Sequence, residues 1–165
     1  MKNKKYFIKL IIIIVGIVLD LVTKIIFANV FAQGKGDIVI IDNFFYLTYV
    51  KNTGAAYGMF SEGTIWLALF SIIFIIGFVI YDYYNHDNHW TYIGAVSLII
   101  SGAIGNLIDR LFLGYVRDFL VIELFSFVFN IADLWVTVGV ILFIVNLIIS
   151  FIKEKKGKKN VKDNK

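Results

Sequence analysis

The sequence predicts an all-α membrane protein with four transmembrane helices, both termini in the cytoplasm and a small β-rich extracytoplasmic region. Of the 165 residues, 59% are hydrophobic, compared with about 45–50% in a typical soluble domain. The mean hydropathy is +0.82, and 11 of the 16 Lys and Arg residues lie close to the two termini. This composition excludes an ordinary water-soluble enzyme and a disordered chain.

Three stretches without Asp, Glu, Lys or Arg predict three of the helices. Each has 19 residues: Gly63–Tyr81, Trp90–Ile108 and Leu134–Ile152. A helix of this length reaches about 28 Å, close to the thickness of a bilayer core. We expect one membrane domain, 1–165, with spans at about 6–31, 63–81, 90–113 and 133–152, outer loops at 34–62 and 114–130, and a basic cytoplasmic tail at 153–165.

The first segment has two interpretations. Its basic start, its apolar run Leu10–Leu19 and a cleavage site at Val30-Phe31-Ala32 are compatible with a cleaved secretory signal. However, Asp20 and Lys24 lie between the apolar run and the cleavage position. A retained first helix is therefore the preferred interpretation.

The lysines at the two termini predict the orientation. The positive-inside rule places both ends of the chain in the cytoplasm, which requires an even number of spans and agrees with four. The longer connections then face outward. In the first of them, Ile38–Ile41 and Phe44–Val50 flank Asp42-Asn43 and predict a β-hairpin, and Glu123–Phe129 in the second is also strand-like.

Polar side chains within the spans indicate a functional site, because they are costly in lipid. We expect all of them near the outer membrane–water boundary and nothing comparable at the inner one. The set comprises Asp20 and Lys24 in the first helix, Asn106, Asp109 and Arg110 in the third, Asp118 in the loop that follows, and Asp133 at the start of the fourth.

These polar residues can be structural or catalytic. In the structural interpretation they form buried ion pairs, for example between Arg110 and Asp109, while Asp133 caps its helix and Gly102 and Gly105 allow close packing. In the catalytic interpretation, two Asp without a cation between them share one proton. Such a pair can activate water against a peptide carbonyl and protonate the leaving amine. With no Cys in the chain, thiol nucleophiles and thiolate metal sites are excluded.

Five motifs in order resemble the bacterial lipoprotein signal peptidase family, also called signal peptidase II. They are Asp20–Lys24, Asn52–Ala56, Gly105–Arg110, Val116–Phe119 and Phe129–Asp133, which together cover most of the chain between its termini. Arg117 departs from the pattern, since an apolar residue is more usual there. The Lys-rich tail is not part of the pattern either.

The resemblance implies an intramembrane aspartic endopeptidase of the bacterial plasma membrane that needs no metal or other cofactor. Its substrate would be a diacylglyceryl-modified prolipoprotein, cut just before the lipid-modified Cys at the extracytoplasmic face. The resemblance assigns the catalytic pair to Asp118 and Asp133. Supporting or substrate-binding roles fall to Asp20, Lys24, Asn52, Gly54, Asn106, Asp109, Arg110 and Asn130.

Two other functions stay open at this point. A small proton-coupled transporter also uses intramembrane Asp, Lys and Arg, although its charges should lie near the midplane. A non-catalytic assembly subunit would need Asp118 for assembly instead of turnover. As partners we expect the prolipoprotein and membrane lipid but no nucleic acid, and we expect a monomer.

Overall fold

A computed structural model of the chain contains long α-helices and one small antiparallel sheet, and it describes residues 2–54, 63–85, 87, 89–125 and 127–163. The helices are α1 (Lys2–Ala32), α2 (Thr64–Tyr84), α3 (Trp90–Leu113) and α4 (Ile131–Asp163). The strands are β1 (Ile38–Ile41), β2 (Phe45–Asn52), β3 (Val116–Ile122) and β4 (Phe127–Phe129), with a 3₁₀ turn at Glu123–Phe125. All four helices of the described chain are long and apolar enough to cross a membrane.

The central helix of the bundle is α3, which contacts α1, α2 and α4. Tyr92, Val96 and Ile100 on α3 form a buried core against side chains of the other helices. The outward faces of α1, α2 and α4 expose large apolar side chains, such as Trp66 at 72%. An apolar surface of this extent is unfavourable in water, and lipid is the solvent that suits it.

Glycines bring the helices into close contact at the end of the bundle near the sheet. A Cβ atom at Gly102 would collide with the backbone carbonyl of Ala132 on α4, and one at Gly105 would collide with the Asp20 carboxylate on α1. Small residues at helix interfaces let backbones approach in this way. The close approach brings the polar residues of three helices to one place.

The predicted hairpin is present, and the backbone conformation of its turn accounts for the Asn at position 43. β1 pairs antiparallel with β2, and Asn43 between them has a positive φ of 55°. Asn is one of the few residues that adopts this left-handed conformation readily. The strand-like segment after Ile122 is only partly a strand, because a 3₁₀ turn precedes β4.

Strand β3 was not predicted, because the sequence analysis placed Asp118 in a loop. Asp118 lies on β3. The strand order is β1-β2-β3-β4, so β3 is one of the two inner strands of the sheet. The pairing of β2 with β3 contains a β-bulge. Leu47 is opposite Leu120, but Val50 is opposite Asp118, so β2 has one extra residue between these pairs. A bulge of this kind shifts the side chains beyond it to the other face.

The end of the bundle opposite the sheet has a polar network of its own, which corrects the expectation that only one end of the spans carries such a cluster. Lys9 of α1 forms an ion pair with Asp82 of α2 at 2.5 Å, and both side chains are largely buried. The buried side chain of Asn146 on α4 donates to Asp87 and accepts from the hydroxyl of Thr91. These contacts hold the four helices together at the end opposite the sheet.

Candidate active site

Two carboxylates, Asp118 on β3 and Asp133 in the first turn of α4, are connected by Asn130. The Asn130 side-chain amide donates to Asp118 Oδ1 at 2.5 Å, and its backbone N–H donates to Asp133 Oδ2 at 3.1 Å. Asn130 Oδ1 in turn accepts from the backbone N–H of Asp133 at 3.1 Å. This reciprocal capping arrangement begins α4 and fixes the direction of the Asp133 carboxylate.

The second oxygen of Asp118 is held by Asn52 at the end of β2. Asn52 Nδ2 donates to Asp118 Oδ2 at 2.8 Å. The orientation of the Asn52 amide follows from its other contact, because Oδ1 accepts from the backbone N–H of Gly54 at 3.0 Å. Asn52 and Asp118 share a face of the sheet because the β2 bulge restores the required register.

A buried lysine connects the pair to α1 and α3. Lys24 Nζ lies 2.8 Å from Asp20 Oδ2 and donates to Asn106 Oδ1 at 2.9 Å. The Asn106 amide then donates to Asp133 Oδ1 at 2.8 Å. Lys24 and Asp20 have fully buried side chains, so each depends on the other for a counter-charge. Asp20 Oδ1 also accepts from the backbone N–H of Ala132, which attaches α1 to the start of α4.

Asp109 pairs with Arg117, and the expected pairing with Arg110 is wrong. Arg117 Nη2 is 2.6 Å from Asp109 Oδ1, while its Nε and backbone N–H both donate to Asp109 Oδ2. Arg110 follows Asp109 on α3 and therefore points in a different direction around the helix. Its half-buried side chain lines the cavity beside Asp133.

Burial raises the pKa of Asp118 to about 6, and the charge of Asp133 adds to the effect. Only 2% of Asp118 is exposed. The hydrogen bonds from Asn52 and Asn130, and the charge of Lys24, oppose the shift because they favour the ionised form. A carboxyl group with a pKa near 6 is suited to hold a proton and release it close to neutral pH.

A cavity of about 370 Å³ lies beside Asp133. Residues of α2, α3 and α4 line it, and α3 packs against both of the other helices, so the cavity lies between α2 and α4. Most of the lining surface is apolar, and Asn106, Arg110 and Asp133 lie at the end nearest the sheet. The lining residues are Phe70, Ser71, Phe74, Ala103, Asn106, Arg110, Asp133, Val136 and Thr137.

The structure brings together every described residue that the sequence singled out for this site. It adds Arg117, whose contact with Asp109 the sequence did not indicate. Ala55 and Ala56 of the second motif lie outside the described residues.

Comparison with known proteins agrees with this arrangement. Residues 12–149 match the family model for signal peptidase (SPase) II. The chain is 39% identical over 147 residues to the lipoprotein signal peptidase of Microcystis aeruginosa, covering 88% of this chain and 92% of that protein. It is 41% identical over 144 residues to the lipoprotein signal peptidase of Clostridium tetani, covering 85% and 92%.

Two solved structures of bacterial membrane enzymes have the same fold. One, at 2.3 Å resolution, superposes with a TM-score of 0.76 and 31% identity, over 87% of this chain and 88% of its own. The other, at 1.9 Å resolution, gives a TM-score of 0.72 and 32% identity, over 84% and 91%. Sequence and fold agree over nearly the same part of the chain. The chain therefore belongs to the signal peptidase II family and is a multi-pass membrane protease of lipoprotein processing.

Proposed function

We propose that the protein is an intramembrane aspartic endopeptidase that uses Asp118 and Asp133 to remove the signal peptide from diacylglyceryl-modified prolipoproteins. The cut falls before the lipid-modified Cys. The observation that carries this proposal is the bridged pair: Asn130 connects the two carboxylates, and one of them is buried with a raised pKa. Family membership decides against the transporter and the assembly subunit.

In the proposed mechanism, Asp118 carries the proton and Asp133 is ionised. Asp133 removes a proton from a water molecule held between the two groups, and the hydroxide attacks the scissile carbonyl carbon. Asp118 donates a hydrogen bond to the carbonyl oxygen, where negative charge develops. The carbon–nitrogen bond then breaks, Asp133 returns its proton to the leaving amine, and the acyl product keeps the water oxygen.

The neighbouring amides orient both carboxyl groups, while burial and the charge of Asp133 favour the proton on Asp118. Asn52 and Asn130 occupy both oxygens of Asp118, and Asn106 supports Asp133. The ion pair of Asp20 with Lys24 holds the first helix in the bundle. We assign Arg110, at the polar end of the cavity, to binding of substrate backbone.

The cavity between α2 and α4 is the proposed entrance for substrate from the bilayer. A prolipoprotein anchored in the outer leaflet by its diacylglyceryl group has its scissile bond near the membrane surface. The sheet and the catalytic pair lie at the same end of the bundle, which we infer is extracytoplasmic in the plasma membrane of a bacterium. We expect a monomer to be sufficient, without nucleic acid or cofactor.

The test is cleavage of a diacylglyceryl-modified prolipoprotein by purified protein in detergent. Wild type should release the signal peptide, also in the presence of a chelator, whereas Asp118→Asn and Asp133→Asn should fold but cleave at least about a thousandfold more slowly. Asp37→Asn, the same change at an exposed outer Asp, is the matched control and should retain full activity. Normal turnover by Asp118→Asn would refute the pair, and inhibition by the chelator would refute a metal-free mechanism.

A further inference from the structure

Arg117 connects the strand that carries Asp118 to the last turn of α3. Its guanidinium makes two hydrogen bonds to the Asp109 carboxylate and its backbone N–H makes a third, at distances of 2.6–3.1 Å. The Asp109 side chain is fully buried, and that of Arg117 is 13% exposed. Paired, planar contacts of this kind are among the strongest and most directional between side chains.

The partner of Arg117 is also connected to the other catalytic residue. Asp109 Oδ2 is 3.6 Å from Lys24 Nζ. Lys24 donates to Asn106, and Asn106 donates to Asp133. Arg117 does not line the cavity. It is nevertheless next to Asp118 in sequence and is linked to Asp133 through these buried polar contacts.

The charges around the pair balance only when Arg117 is counted. Among the residues that the structure describes in this cluster there are four carboxyl groups and three cations. The carboxyl groups are Asp20 on α1, Asp109 on α3, Asp118 on β3 and Asp133 on α4, and the cations are Lys24, Arg110 and Arg117. With one proton on the pair, three negative charges face three positive ones.

The other titratable group that faces Arg117 does not change this balance. Tyr49 on β2 lies near Arg117 and Asp109, and burial together with its neighbour Tyr115 raises the pKa of Tyr49 to about 12. Tyr49 is thus neutral over the range in which the enzyme works. Loss of Arg117 would leave one uncompensated negative charge, which favours a second proton on the pair.

We propose that Arg117 is a positioning residue for proteolysis: its ion pair with Asp109 fixes β3 against α3, keeps Asp118 in place and maintains one proton on the pair. This inference rests on the proposed catalytic roles of Asp118 and Asp133.

The test compares Arg117→Val, Arg117→Lys and the control Lys51→Ala. Lys51 lies directly opposite Arg117 on β2, but its side chain is over the ring of Tyr115 at 5.2 Å. Arg117→Val should lower kcat about tenfold or more with little change in KM, because Asp118 moves while the cavity does not. Arg117→Lys should recover part of the loss, since it keeps the charge but not the paired geometry. Lys51→Ala should behave as wild type.

A pH profile separates this role from simple stabilisation. In Arg117→Val, the alkaline limb of kcat/KM should move up by about one pH unit, because a cation has been removed from the pair. In an Asp109→Asn background, Arg117→Gln should cause little further loss of kcat. The two changes should not be additive, because both remove the same ion pair. Wild-type kcat and an unmoved limb in folded Arg117→Val would overturn the proposal, while activity in Asp118→Asn would instead overturn the function on which it rests.

Discussion

At the level of single residues, the two amides that hold Asp118 oppose the effect of burial on its pKa. Burial raises the pKa of Asp118 to about 6, and the hydrogen bonds from Asn52 and Asn130 limit the rise. The folded protein thus binds this proton more tightly than the unfolded chain. Ionisation of Asp118 therefore lowers stability as the pH rises from about 4 toward 6.

Removal of the Asn52 donor should move the working pH of the enzyme upward. If the active form has one proton, kcat/KM falls as Asp118 ionises above about pH 6. In Asn52→Ala the ionised form loses a hydrogen bond, so the pKa of Asp118 rises and the alkaline limb should shift by about one unit to higher pH. The measurement is kcat/KM against pH in detergent.

The control for this change is Asn85→Ala. Asn85 lies just beyond the end of α2, and the change removes its exposed hydrogen bond to the Tyr81 hydroxyl. It should leave the profile unchanged. A shift of the Asn52→Ala limb to lower pH would contradict the assigned direction of the hydrogen bond.

Which residues gather at the site could be predicted from the sequence, but their partners could not. Polar residues in apolar spans are conspicuous, and spacing places Asp20 and Lys24 on one face. The contact of Asp109 depends on the direction in which the chain continues after α3. Gly114, with a φ of 76°, turns it so that Arg117 and not Arg110 meets Asp109.

At the scale of elements, the bulge in β2 sets the register of the site. If the same sequence paired without the bulge, the register at Leu47 would continue and Asp118 would lie opposite Tyr49. Asn52 would then point to the face away from Asp118, since side chains alternate along a strand. One residue of β2 thus decides whether the donor and the carboxylate meet.

Insertion of one Ala between Val50 and Lys51 should therefore inactivate the enzyme. Val50 would stay opposite Asp118 while Asn52 moves to the other face of β2, so we expect at least about a hundredfold loss of cleavage, with the helical content measured by circular dichroism unchanged. Insertion of one Ala after Gly36 is the matched control and should be tolerated, because Gly36 lies in the exposed connection before β1 with open space where a Cβ atom would lie. Full activity after the insertion at Val50 would show that the register is not required.

The helices and the hairpin could be predicted because their signals are local. Charge-free stretches mark the spans, and Asp42-Asn43 marks the turn. β3 has no such signal, because its partner β2 is remote: Asn52 and Asp118 are 66 positions apart. The polar network at the end opposite the sheet was missed for the same reason, since Lys9 and Asp82 are 73 positions apart.

At the scale of the whole molecule, the proposed orientation has both termini in the cytoplasm and the sheet outside. Because the chain has no Cys, single-Cys variants can test this without background. Gly36→Cys should react with a membrane-impermeant maleimide on intact cells. Tyr84→Cys, at a position 75% exposed at the other end of α2, should react only after the membrane is opened.

Labelling is read by the mass shift of the purified protein, and both variants should first be shown to cleave substrate. The reverse pattern, with Tyr84→Cys labelled on intact cells, would place the proposed catalytic pair in the cytoplasm and contradict the proposed route of the substrate.

The open cavity between α2 and α4 has a consequence for inhibition. A compound that enters from the side of the bundle is dissolved in lipid before it binds, so its potency depends on its concentration in the bilayer and not on that in the medium. Each added methylene is worth ~0.8 kcal/mol of transfer from water, and apparent potency should rise with chain length even where the methylene contacts no protein. Dose–response curves for such compounds should accordingly shift with the amount of lipid or detergent in the assay.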